Sequence, residues 1–412
     1  MREPRIYGWT IGNKEYDSKY NKKDYRSKYY EKNWVTPWLN EVVRISNDLN
    51  KPLYEVMAMK RGDKEEHMPK RLFKFFPFNT NSLKCIEQNK VYMSSPENFN
   101  DPFECYVYVK KEDFTRQYIL DYIEENHLVK KNLVDGKMYD RIKNSSCDRY
   151  KYFASDMLQP STYEKVMEEV FMYKEHKTIQ DLWYDAHKKY NETIKSIRET
   201  NIRISSFSAF KEENFLAATE MWGHYAQNHK GFCVEYDLSG EISNREISSL
   251  IEGSLIKCTY VNKTVPLANS TFYKKATNKP FTKWQRIQFQ KSIYMSALKK
   301  SSAWSYEKEW RLVLPQEFFA EENFLVDFYP IKVIYLGWKM SDDDKEYMYR
   351  LAQRKNIRIC CMDCLDEYYN LDYREIVPQE YFAEKEVLKK LKKYREDLKD
   401  KIGVEQIRSN GL

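Results

Sequence analysis

Glycine is scarce in this chain, with 11 residues in 412. The few present form neither of the common glycine-rich phosphate loops, which excludes the usual way of cradling a nucleotide at a helix N-terminus. The G-x-S-x-G elbow of the serine hydrolases is missing as well. No window reaches the roughly 20 consecutive apolar residues of a membrane-spanning helix, and Met1-Arg2-Glu3-Pro4-Arg5 leads into no apolar leader segment. The expectation is a cytoplasmic protein with no membrane partner. The eight cysteines are scattered without the regular framework of a disulfide scaffold, which fits a reducing compartment. Cys361 and Cys364 have the gap of a zinc knuckle but no second pair at a matching distance, so no metal site is expected.

What is present is charge of both signs and much tyrosine. The 69 basic residues face 62 acidic ones, and the net charge of +7 gives only a mild pull toward polyanions. The 34 tyrosines, many beside Lys, Asn or Asp, match the composition of AT-rich bacterial genomes and are read that way before they are read as function. At 42% hydrophobic residues the chain can bury a substantial core.

Texture divides the chain in three. Residues 1–69 read as a basic, tyrosine-rich extension, with Lys, Tyr and Asp in quick succession from Lys14 to Tyr30 and a helix from Pro37 to about Leu49. The stretch from Lys14 to Lys32 could touch nucleic acid, although a solvated arm is the simpler reading. Residues 70–370 read as one α+β domain with a central mixed sheet, its strands at Leu72–Phe76, Val91–Ser94, Ile202–Ser208, Phe232–Tyr236 and Trp304–Leu314. Residues 111–200 interrupt it with helical spacing, first Tyr118, Ile119, Tyr122 and Ile123 and later Tyr163, Val166, Met167 and Val170, a helical insertion. Ile331–Leu336, Asp342–Arg354 and Ile357–Cys361 make a βαβ-like closing unit. Residues 371–412 end in a charged helix with Val387, Leu388, Leu391, Tyr394 and Leu398 on one stripe, the pattern of a helix that docks or makes a homo-oligomer.

Three constellations could carry chemistry. Along Trp304–Leu314, strand alternation puts Trp304, Tyr306, Trp310, Leu312 and Leu314 on one face with Lys308, and Glu307, Glu309 and Arg311 on the other, about 7 Å apart. Carboxylates behind so apolar a face are costly unless paired or used; the alternative is a solvent face with a Glu309–Arg311 ion pair. Asn100-Asp101-Pro102-Phe103-Glu104 is a rigid turn that can hold Asp101 and Glu104 at a pocket entrance or serve the turn alone. Glu220 and His224 are one helical turn apart, where a carboxylate can orient an imidazole, with Trp222 and Tyr225 alongside. A packing histidine is the alternative, and His229 is a weaker candidate.

Taken in order, Leu72-Phe73-Lys74-Phe75, Val91–Pro96 with Phe99–Glu104, Phe207-Ser208, Met221–Ala226 with His229–Tyr236, and Trp304–Arg311 resemble the bacterial domain-of-unknown-function family 2971. The resemblance implies no established reaction, although such proteins are suspected in toxin and antiviral defence loci. A second resemblance is to ADP-ribosyltransferases, which place a basic residue on a first strand, a hydroxyl or aromatic residue on a second and a Glu on a later one. Lys74, Tyr92 with Ser94, and Glu307 with Glu309 follow that order, although the first position has Lys where Arg or His is expected. The resemblance implies NAD as the ligand and a bacterial effector or toxin as the setting. Glu307, Glu309 and His224 are then the catalytic candidates. Lys74, Tyr92, Ser94, Asn100, Asp101, Glu104, Trp222, Tyr225 and Arg311 are the substrate-binding ones. The alternatives are a metal-dependent nuclease built on Asp101, Glu104, Glu307 and Glu309, or a module that binds nucleic acid or protein without catalysis.

Overall fold

The computed structural model describes residues 33–127, 179–319, 323–365 and 370–409, together with 137, 140 and 143. The Lys14–Lys32 arm, Cys147 and the Tyr163–Val170 helical pattern lie outside these residues. The helices used below are α1 (Val35–Leu49), α2 (Leu53–Met59), α3 (Thr80–Gln88), α4 (Lys111–Glu125), α5 (Ile179–Thr200), α6 (Thr219–Tyr225), α7 (Lys283–Leu298), α8 (Asp342–Lys355) and α9 (Pro378–Ser409).

The architecture is α+β around one eight-stranded mixed sheet. In chain order its strands are β1 (Arg71–Phe76), β2 (Ile202–Ser208), β3 (Phe232–Asp237), β4 (Leu255–Lys257), β5 (Glu309–Pro315), β6 (Ile331–Leu336), β7 (Arg358–Cys364) and β8 (Leu371–Ile376). Across the sheet they run β8-β7-β6-β3-β1-β2-β5-β4. The β6–β7 pair is parallel, as the βαβ closing unit requires, and the other pairs are antiparallel. Strand alternation sorts the core onto two faces: Leu72, Phe76, Val234 and Tyr236 belong to one cluster, and Phe73, Phe75, Cys233 and Tyr335 to the other.

Local chemistry sets several boundaries. Asn79 caps α3 by accepting from the Ser82 backbone N–H at 2.9 Å, and Asn89 ends it in the left-handed region. Thr282 and Gln285 form a reciprocal capping box at the start of α7. Lys90–Tyr92 pairs with Leu325–Asp327 in a small sheet of its own instead of joining the main one. β8, which the sequence pattern did not reveal, covers the β7 edge.

One expected strand is shorter than its pattern. Ser302–Glu307 is a 3-10 helix, Lys308 follows at φ 49° in the left-handed region, and β5 begins only at Glu309. The face assignment from Trp304 onward therefore holds for Glu309, Arg311, Trp310, Leu312 and Leu314 but not for Trp304, Tyr306, Glu307 or Lys308. Lys308 is exposed instead of sharing the apolar face.

Candidate functional site

β1 and β2 part company almost at once. Phe73↔Ser208 is their single register pair, whereas β2 and β5 pair along their whole length. The edge of β2 that faces β1 is completed by other groups. The Lys74 ammonium donates to the Ser206 carbonyl at 2.9 Å, and Ser94 makes an isolated bridge with Ile204 through two backbone bonds. A backbone group freed from a ladder must find another partner, and these are its substitutes.

A cavity of about 700 Å³ is lined by residues from both sides of this divergence. Such a volume falls in the usual range for small-molecule sites. At its acidic end five buried charged groups meet. Lys300 Nζ lies 2.9 Å from Glu104, 2.5 Å from Glu307 and 3.2 Å from Glu309. Arg311 donates to Glu104 at 2.6 Å, to both oxygens of Glu309 at 2.7 and 3.0 Å, and to the Ala297 carbonyl at 2.7 Å. Tyr225 Oη donates to Glu307 Oε1 at 2.6 Å, and the Asn100 side chain bonds to Tyr225 in turn.

Two carboxylates two residues apart thus sit in different fields. Burial alone would raise Glu309, but Arg311 and Lys300 override it and hold that carboxyl at about 2. Burial and the neighbouring Glu309 raise Glu307, with Lys300 and Tyr225 opposing them only in part. With three carboxylates and two cations, the cluster has one more acid than base, and Glu307 is where that excess resides. Burial lowers Lys74, farther along the cavity, to about 8.

The structure brings together Lys74, Tyr92, Ser94, Asn100, Glu104, His224, Tyr225, Glu307, Glu309 and Arg311, all on the cavity wall. Asp101 and Trp222 are not part of that wall. Asp101 Oδ1 accepts from the Phe103 backbone N–H at 2.9 Å, and its carbonyl accepts from Glu104 N–H at 3.1 Å, so Asp101 shapes the turn that seats Glu104. Glu104 is no entrance residue but a buried member of the ionic cluster. Trp222 is fully buried, edge-on to Phe75 and stacked on His229. His224 is exposed and meets the Trp304 ring, whereas Glu220, expected to orient it, accepts from Thr219 and lies off the cavity.

The Asp101–Glu104–Glu307–Glu309 metal cluster of the nuclease alternative does not form: Asp101 is turned away, and Lys300 and Arg311 sit among the other three. Among the described residues no group of three or more His, Cys, Asp or Glu is placed to hold a metal ion.

The turn after α6 is structural. Gln227, Asn228 and His229 all have positive φ, and a Cβ on Gly231 would stand 2.1 Å from the Phe76 carbonyl oxygen. Only glycine allows β1 and this turn to close so tightly. Sequence reasoning missed Lys300 altogether. Lys299-Lys300 at a helix end looks like an ordinary solvated C-terminus, and nothing local shows that three carboxylates converge on it.

Residues 221–312 match the family described as a protein of unknown function, DUF2971. The matched segment contributes Tyr225, Lys300, Glu307, Glu309 and Arg311, while Lys74, Tyr92, Ser94, Asn100 and Glu104 precede it. No curated protein and no solved structure matches the chain.

Proposed function

We propose that the cavity binds a nucleotide and that the protein cleaves its N-glycosidic bond, transferring or hydrolysing the ADP-ribosyl part of NAD. The observation that supports this reading is the sharing of one hollow by Lys74, Tyr92 and Ser94 with Glu307. In this reading the bond from the ribose anomeric carbon to the nicotinamide nitrogen breaks, and its electron pair leaves on nicotinamide. Positive charge growing on the sugar is met by the Glu307 carboxylate, which Tyr225 and Lys300 fix from two sides. A hydroxyl of water or of an acceptor then adds to that carbon. Its proton goes to Glu307, whose proton affinity is raised by burial and by Glu309. Lys74, mostly protonated at neutral pH, offers its charge to the phosphates. An effector or toxin inside a bacterial cell, antiphage defence included, is a setting this chemistry would serve.

The test is nicotinamide release from NAD by the purified full-length chain. Turnover that disappears in Glu307→Gln while the melting temperature holds supports the reading. A wild-type protein that leaves NAD intact, or a variant that turns over at the parent's rate, removes it.

A further inference from the structure

β2 serves as a ruler along the cavity. Its Ser208 pairs with Glu309 at the acidic end, its Ser206 carbonyl accepts from Lys74 midway, and its Ile204 bridges Ser94 at the far end. Four residues of strand separate Ser208 from Ile204, a span of roughly 13 Å. The lining changes character over that length. After the carboxylates comes Lys74, with the exposed Lys84 of α3 close by. Burial raises the Cys85 thiol and both lysines oppose it, which places the two cations on one stretch of wall. Beyond them stand the rings of Tyr92 and Phe324, two residues from the Ser94 bridge in the case of Tyr92. These rings meet edge to face, centroids 6.3 Å apart and planes at 89°, and so form a corner. Tyr92 is 46% exposed, yet the corner is fixed. Tyr92 pairs with Leu325, and the Met93 N–H donates to the Phe324 carbonyl at 2.8 Å. Two groups outside the cavity lining support the Phe324 ring: Arg203 at 4.1 Å from its centroid, itself held by Gln316, and Phe319 at 5.5 Å. An open aromatic corner held in place before any ligand arrives offers a planar partner contact area at little cost in ordering.

We infer that the corner of Tyr92 and Phe324 is the subsite for the adenine ring, with the diphosphate of the dinucleotide on Lys74 and Lys84 and the nicotinamide ribose at Glu307. The inference rests on the NAD reading above, because cleavage at Glu307 puts the nicotinamide half at the acidic end and leaves the other base for the far end. Each part of the ligand then meets the chemistry that suits it. A sugar carbon that becomes positive faces a carboxylate, a diphosphate faces two cations, and a neutral planar base faces two rings. The span along β2 suits a ligand whose two sugars are separated by a diphosphate. Tyr92 thereby acts at the base farthest from the bond that breaks, and Phe324 joins it as a specificity residue.

The test compares NAD with nicotinamide mononucleotide, which carries the same scissile bond without the adenylate half, on the full-length protein. Wild type is expected to prefer NAD. Phe324→Ala is expected to lower kcat/KM for NAD, through KM, about tenfold relative to kcat/KM for the mononucleotide. Tyr92→Ala removes an exposed ring and should shift the same ratio by a similar factor, while Tyr92→Phe keeps the parent's ratio. A variant damaged only in its fold loses both substrates alike and leaves the ratio where it was. A second arm needs no turnover: AMP is expected to bind wild type and Glu307→Gln alike, and Tyr92→Ala about tenfold more weakly. AMP bound in this way by a protein that leaves NAD intact would sink the cleavage reading and uphold the base subsite. NAD cleaved with the same ratio in both ring variants, a mononucleotide cleaved as efficiently as NAD, or AMP held by Tyr92→Ala as tightly as by wild type would each overturn the inference and leave the cleavage reading in place.

Discussion

The acidic hollow at the start of β5 and the packing beneath the N-terminal helices each bury a lysine, and the two are treated in opposite ways. Lys300 lies among Glu104, Glu307 and Glu309, and although burial works against its charge, Glu309 and Glu104 push its proton affinity above the usual lysine value. Lys64 has the Leu255 carbonyl and the face of Trp38, with only a distant influence from Glu252, and burial lowers it from 10.5 to about 7. Desolvation opposes the charge in both places. What differs is the compensation: three carboxylates have been gathered around Lys300, whereas a carbonyl and a ring face meet Lys64, and this difference sets the sign of each shift.

The comparison is broken most severely by removing a cation from the hollow. Arg311→Met leaves Glu104 and Glu309 facing each other in a buried space with Lys300 alone between them. A loss of about 3–5 kcal/mol is expected in denaturant unfolding. Lys300→Met costs less, about 3 kcal/mol, because Arg311 still holds Glu104 and Glu309 while Glu307 can take up a proton. Its proton affinity rises further in that variant, so any activity through Glu307 shifts to higher pH or vanishes.

Lys64 gives the opposite sign. Its folded-state proton affinity lies below the unfolded one, so between about 7 and 10.5 the unfolded chain binds more protons and stability rises with pH. Below about pH 7 both states are protonated and the cost of burying the charge is fully felt. Lys64→Met removes that slope. The variant is expected to be neutral to stabilised by up to about 2 kcal/mol at pH 7 and to lose its advantage by pH 10, as read from paired denaturant curves. A variant destabilised at pH 7 by as much as Lys300→Met would erase the contrast between the two regions.

How far the hollow can be read from the chain depends on how local its causes are. The period-two placement of Glu309 and Arg311 is visible because both sit on a true strand, and the Asn79 cap and the βαβ unit are visible because their signals span a few residues. Trp304-Ser305-Tyr306-Glu307-Lys308 also alternates large and small side chains and so imitates a strand. The structure breaks it with a left-handed Lys308, a conformation disfavoured for a side chain with Cβ and held by its surroundings: the Lys308 carbonyl accepts from Ala209 N–H. The splay of β1 from β2 has no local cause at all. It depends on Ser94 and Lys74 taking up the backbone groups of a strand more than 100 residues away.

The smallest expected effect separates shaping the hollow from acting in it. Asp101 contributes one side-chain acceptor to the Phe103 N–H, and its turn places Glu104 on Arg311. Asp101→Ala loses that bond and is expected to cost about 1 kcal/mol. Asp101→Asn keeps a carbonyl oxygen in the same place, so it should remain within a few tenths of a kcal/mol of wild type and keep whatever turnover the protein has. If Asn at this position preserves stability but abolishes turnover, the charge of Asp101 enters the chemistry. The acidic cluster would then have to be redrawn to include the turn that carries Glu104.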